Sequence, residues 1–145
     1  MCMTIYEELL DDIDSSDIKL VYDKSTQIPA VSFSNANGDY IFLNEYSFET
    51  NAERFVALAH EKGHCDSGAF YNIHTPLITR EICEHRAWRR AILDQLPFDK
   101  LMEAFEICKT EDGISIYDLA NYLDMPPDFI KMAIEQYIKL GKQIL

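Results

Sequence analysis

The chain is short of positive charge. Against 25 Asp and Glu it sets 13 Lys and Arg, leaving a net charge of −12. That balance argues against broad nucleic-acid binding, which needs cationic surface to displace counterions from phosphates. It suits a basic protein partner instead. Long apolar runs are also missing: nothing approaches the span of about twenty apolar residues that crosses a membrane, and no basic stretch followed by an apolar run opens the chain. Membrane insertion and secretion are therefore not expected, and the expected compartment is the cytoplasm. Cys2, Cys65, Cys83 and Cys108 include no C-x-x-C pair and read as reduced thiols. What remains is 145 residues, 48% of them hydrophobic, enough to bury the core of one ordinary globular domain.

Against that background five residues carry chemistry. His60-Glu61-Lys62-Gly63-His64 is an H-E-x-x-H motif. On a helix its two histidines lie one turn apart on one face, so both imidazoles can reach one Zn²⁺ while Glu61 stays beside it to act on a water. The flanks supply the helix. Thr50 followed by Glu53 is a capping box, Phe55, Leu58 and Ala59 recur at helical spacing, and Gly68 is available as a C-cap.

Two histidines need a third protein ligand. The metzincin arrangement would place Gly and His at positions held here by Ser67 and Phe70, which excludes that class. The alternative is a carboxylate from a second helix. The run Thr79 to Ala91 lacks Gly and Pro and reads as that helix, with Glu84, Ala87 and Ala91 on one narrow stripe. Small residues below a carboxylate allow close approach to the first helix, so Glu84 is the favoured ligand. Glu81, one turn earlier, is the rival. Cys65 and Cys83 are weaker candidates for the metal, because Cys65 directly follows His64 and points away on a helix. Tyr71, His74 and His85 are candidates for stabilising an oxyanion by sequence proximity alone.

The H-E-x-x-H motif, then Glu84-x-x-Ala87-x-x-x-Ala91 and Leu96-Pro97, resembles the ImmA/IrrE family of zinc metallopeptidases, in which an E-x-x-A helix ending in an apolar-Pro stop follows the metal helix. The resemblance implies an α+β zincin-like fold, Zn²⁺ held by His60, His64 and Glu84, and Glu61 as the catalytic base. It also implies a regulatory endopeptidase that cleaves a helix-turn-helix repressor in phage, mobile-element or stress regulation. Two positions depart from the family pattern: Lys62 stands where an apolar residue is usual, and Arg90 where an aromatic is. The alternative to an enzyme is a catalytically silent zinc-binding regulator, or a toxin-antitoxin component, that grips a transcription factor.

The remaining chain reads as supporting structure. Thr4 and Glu7 form a capping box for a helix through about Ile13, and Ile18 to Tyr22 reads as a strand. Segments 30–34 and 40–43 alternate around Asn37-Gly38 as a hairpin, giving a small antiparallel sheet beside the metal helix. Helices are expected over 98–109, from Ser115 to Asp124, and from the Met125–Asp128 turn to Leu140. Residues 1–109 are thus expected to hold the sheet and metal-site helices of a single domain, and 110–145 a helix-turn-helix-like tail. With only Lys131 and Lys139 as cations on its last helix, that tail reads as a packing or partner-docking element rather than a DNA reader.

Overall fold

The computed structural model describes residues 3–144, so Cys2 lies outside the described residues. Among the described residues the chain is α+β. Its elements are α1 (Ile5–Asp14), β1 (Lys19–Tyr22), β2 (Ala30–Asn35), β3 (Gly38–Leu43), α2 (Asn51–Ser67), α3 (Leu77–Gln95), α4 (Phe98–Cys108), α5 (Ile116–Leu123) and α6 (Pro127–Lys139). No described helix is long and apolar enough to cross a membrane. The chain divides into two compact units, Met1–Ala91 and Ile92–Leu145. The division falls inside α3, and α4 belongs to the second unit.

In the first unit, caps start the helices where the sequence places them. Thr4 Oγ1 accepts from the Glu7 N–H at 3.2 Å, and Thr50 Oγ1 from the Glu53 N–H at 3.2 Å. Each such cap contributes about 1 kcal/mol. The second box is only half reciprocal, because the Glu53 carboxylate accepts from the Glu49 N–H at 2.9 Å, one residue before the cap. α2 stops at Gly68, whose φ of +69° is left-handed backbone that a side chain would strain.

The sheet departs from expectation in two ways. β2 and β3 pair antiparallel from Ala30↔Leu43 to Asn35↔Gly38, so the tight turn is Ala36-Asn37, one residue earlier than the Asn-Gly pair. The Asn35 side chain sets it by accepting from the Asn37 N–H at 2.8 Å. β1 pairs parallel with β3, giving the order β1-β3-β2 and a mixed sheet, not an antiparallel one. The segment 23–29 carries the chain past β3 to its far edge. Asn44 ties that segment down: its Nδ2 donates to the Thr26 carbonyl at 2.8 Å and its N–H to the Pro29 carbonyl at 2.9 Å. Ile41 and Leu43 on β3 are fully buried, as are Leu9, Ile13, Phe55 and Leu58 of α1 and α2.

α2 and α3 approach each other at Gly63. A Cβ built there would collide with the Ala87 carbonyl oxygen and stand 3.0 Å from the carbonyl carbon. Only a residue without a side chain lets these backbones come so close. The connection before α3 is fastened by Arg80, whose Nε donates to the Thr75 carbonyl at 2.8 Å and whose terminal nitrogen donates to the Ile73 carbonyl.

In the second unit, Ser115 caps α5 by accepting from the Tyr117 N–H at 3.2 Å. Asp124 turns the chain at φ +55° before Pro127 opens α6. Leu119, Phe129, Ile130 and Tyr137 are essentially fully buried there, and the Tyr137 hydroxyl donates to the Leu96 carbonyl at 2.8 Å.

An exposed helical Gly→Ala change usually stabilises by up to about 1 kcal/mol. Gly63→Ala is expected to do the reverse, costing about 1–3 kcal/mol as an overpacked contact. Thermal denaturation of the variant checks this, and an unchanged or raised Tm would show that α2 and α3 do not touch there.

Candidate metal centre

α2 presents His60 and His64 on one face, and the close approach at Gly63 lays α3 alongside them. Glu84 then meets both rings. Its Oε2 lies 2.7 Å from His60 Nε2 and its Oε1 lies 3.1 Å from His64 Nε2. One potential ligand atom from each of these three residues falls within 4.8 Å of the others. Two imidazoles and a carboxylate converging in this way form the donor set of a three-ligand zinc site.

The hydrogen bonding of His64 bears on what these three residues can hold. Its Nδ1 sits 2.6 Å from the Ala69 carbonyl, which can only accept, so Nδ1 carries the proton. In the neutral ring Nε2 is then a bare lone pair, and it faces a carboxylate oxygen of Glu84. Two acceptors at 3.1 Å repel unless a proton or a metal ion lies between them. Burial sharpens the demand, since His64 is only 5% exposed. A metal ion satisfies both acceptors, and the Nδ1–H to carbonyl bond is the outer support that metal-bound histidines usually have. His60, His64 and Glu84 are residues that could hold a metal ion.

His60 is held differently. Its ring stacks on the indole of Trp88, with centroids 4.2 Å apart and planes 12° from parallel. The His64 ring meets it edge-on at 4.7 Å. Burial lowers the His60 pKa, against the pull of the Glu84 charge, so the neutral form that can ligate a metal is favoured.

The two glutamates have opposite environments. Burial pushes the Glu84 carboxyl up, but the Tyr71 hydroxyl, which donates to Oε1 at 2.8 Å, together with His60 and His64, outweighs it and holds the group below its usual range. Glu61 is buried, and that desolvation raises its pKa despite His64 and a hydrogen bond from Ser32 Oγ at 3.3 Å. Its Oε1 is 3.9 Å from His60 Nδ1, beyond hydrogen-bonding distance. Glu61 therefore flanks the three-residue group without joining it.

A cleft of about 300 Å³ opens onto these residues. Phe70 and Tyr71 contribute to its lining, as do Ala30, Val31 and Ser32 of β2. Neighbouring strand residues point to opposite faces, so a wall made of three in succession is made largely of backbone edge. Among the described residues β2 is an edge strand, paired with β3 alone.

Other candidates fall elsewhere. Glu81 is exposed and outside the converging group, and so are His74 and His85, whereas Tyr71 sits directly on Glu84. Cys65 is buried away from the group with its thiol pushed up to about 12 by burial, and the Cys83 thiol faces the Phe70 carbonyl at 3.8 Å. Cys65, Cys83 and Cys108 are all free. Lys62 pairs with Asp66 one turn on, and Arg90 is exposed. Sequence reading missed Gly63, Ser32, Ala69 and Trp88. Compared with protein-family models, with curated proteins and with solved structures, the chain gives no match.

Protein purified without chelator is expected to carry about one zinc per chain, and His60→Ala or His64→Ala to abolish stoichiometric metal. Glu84→Ala should weaken zinc binding strongly and Glu81→Ala hardly at all. Metal analysis by atomic emission checks both, and full retention in the two histidine variants, or the reverse order of the glutamates, would refute the assignment.

Proposed function

We propose that the chain is a zinc-dependent endopeptidase of the ImmA/IrrE type, with a helix-turn-helix repressor as its substrate. The observation that carries the reading is the convergence of His60, His64 and the Glu84 carboxylate within 4.8 Å, with Nδ1 of His64 held by the Ala69 carbonyl, beside a buried glutamate that is not part of the group. When bound, zinc polarises a carbonyl and lowers the pKa of a water. His60, His64 and Glu84 would hold it.

The other roles belong to the chain itself. Glu61 is buried beside the group and has a raised affinity for protons, which suits it to take one from an attacking water and return it to the leaving amine. Ser32 holds the Glu61 carboxylate from the sheet side. Tyr71 carries a hydroxyl that can turn from Glu84 to a carbonyl oxygen developing negative charge. The free edge of β2 offers unpaired backbone groups to an extended peptide, which would lie along the cleft as an added strand. An acidic chain with a net charge of −12 favours encounter with a basic protein, and DNA-binding repressors are basic.

Glu61→Gln tests the mechanism. The amide is nearly isosteric and Glu61 is not a ligand in this scheme, so fold and zinc content should be kept while cleavage of the repressor falls roughly 10²–10⁴-fold. The measurement is a cleavage time course at matched zinc occupancy. Equal rates would remove Glu61 from the mechanism. Tight repressor binding by both proteins without cutting would favour a silent zinc-binding regulator.

A further inference from the structure

The two histidines are not supported alike. His64 is fixed by a hydrogen bond from Nδ1–H to the Ala69 carbonyl. Among the described residues the Nδ1 of His60 has no such anchor: the oxygen facing it, Glu61 Oε1, is 3.9 Å away. An imidazole without an outer hydrogen bond can swing about its Cβ–Cγ bond, and a swinging ligand weakens a metal site. Here the indole of Trp88 lies flat against the ring at 4.2 Å, with the planes 12° apart. Rotation of the imidazole out of that plane would drive its edge into the indole. A face-on neighbour leaves both ring nitrogens free at the edge, where Nε2 meets Glu84 at 2.7 Å.

We propose that Trp88 is a positioning residue for the metal centre, holding the His60 imidazole by its face in place of the outer hydrogen bond that His64 has and His60 lacks. The inference rests on the metal-site reading above. α3 places Trp88 one turn beyond Glu84, so a single helix grips His60 twice, at its edge through the carboxylate and at its face through the indole. Ala87, between them in sequence, is the residue whose backbone meets Gly63. Close approach, ligand and ligand support thus come from one turn of α3.

The test compares wild type with Trp88→Leu and Trp88→Phe. Leucine keeps an apolar side chain but loses the flat face, whereas phenylalanine restores a face. Zn²⁺ affinity is measured by competition with a chromophoric chelator, and Co²⁺ is added separately to read ligand geometry from its visible absorption. Circular dichroism fixes the folded fraction of each protein. Trp88 is the only tryptophan in the chain, so quenching of its emission by Co²⁺ in wild type reports directly on its distance from the bound ion.

The expected result is a roughly 10- to 100-fold weaker Zn²⁺ affinity and an altered Co²⁺ spectrum in Trp88→Leu, with both largely restored in Trp88→Phe. A side chain that only fills space would lower the melting temperature and leave affinity and spectrum of the folded protein unchanged, and that outcome overturns the proposal. Equal loss in both variants, at full folding, overturns it as well, since a flat face would not then be what matters. If Trp88→Leu does not fold, the Trp88→Phe spectrum and wild-type quenching decide: quenching without restoration in Trp88→Phe counts against the stack. Failure of wild type to bind either ion would refute the metal site itself and the Trp88 role with it, so the two readings fail on different proteins.

Discussion

Two helix backbones touch where Gly63 meets the carbonyl of Ala87, and the site is a consequence of that contact. A carboxylate side chain is short. For Glu84 to span from α3 to both imidazoles on α2, the helix axes must be closer than ordinary side chains permit. Gly63 removes the obstacle on one helix, and Ala87 and Ala91, both buried, remove it on the other. The positions adjoining Ala87 are then bound to meet the histidines: Glu84 one turn before it reaches their edges, and Trp88 just after it reaches the face of His60. A wider gap would separate all of these pairs together. The glycine that weakens α2 as an isolated helix is what allows α2 to be half of a site.

Parts of this were readable from the residues alone, and the reasons differ from part to part. The α2 boundaries followed from Thr50 and Gly68 because capping is local chemistry, and the structure has both caps in place. Glu84 was preferred to Glu81 because Ala87 and Ala91 share its stripe, and that spacing is fixed by the helical repeat. Gly63 also left a signal. A glycine inside a helix costs about 1 kcal/mol and so usually has a packing reason, but the reason needed a partner backbone that the sequence does not locate. Trp88, four residues after Glu84, sits about 40° from it around the helix and so shares its face. Nothing in the pattern said that its indole would lie on an imidazole and not in the core.

The sheet was less readable for a different reason. Alternation finds strands and turns, but the placing of β1 depends on where a seven-residue connection runs, and that is decided by distant contacts. Asn44, which follows β3, supplies them by gripping the Thr26 and Pro29 carbonyls. As a result β2 is left on the edge beside the cleft, and Ser32 reaches Glu61. The division of the chain inside α3 was hidden similarly, because an uninterrupted helical pattern carries no mark of where one unit gives way to the next.

The chemistry follows from how the fold treats two carboxylates that stand near the same pair of histidines. The Glu84 side chain is 33% exposed and that of Glu61 only 10%. Burial raises the pKa of both, but Glu84 receives the Tyr71 hydroxyl and faces both imidazoles, and its pKa is held below the usual value. Glu61 is supported by the Ser32 hydroxyl, at a longer 3.3 Å, and by the Ser32 backbone, yet its burial prevails. Environments that push two carboxylates apart in proton affinity also divide their work. The group that gives up its proton readily suits the cation, and the one that holds it more tightly suits proton transfer. Exchanging the two roles would require moving the helices, because the same H-E-x-x-H turn that aims His60 and His64 at α3 turns Glu61 towards β2.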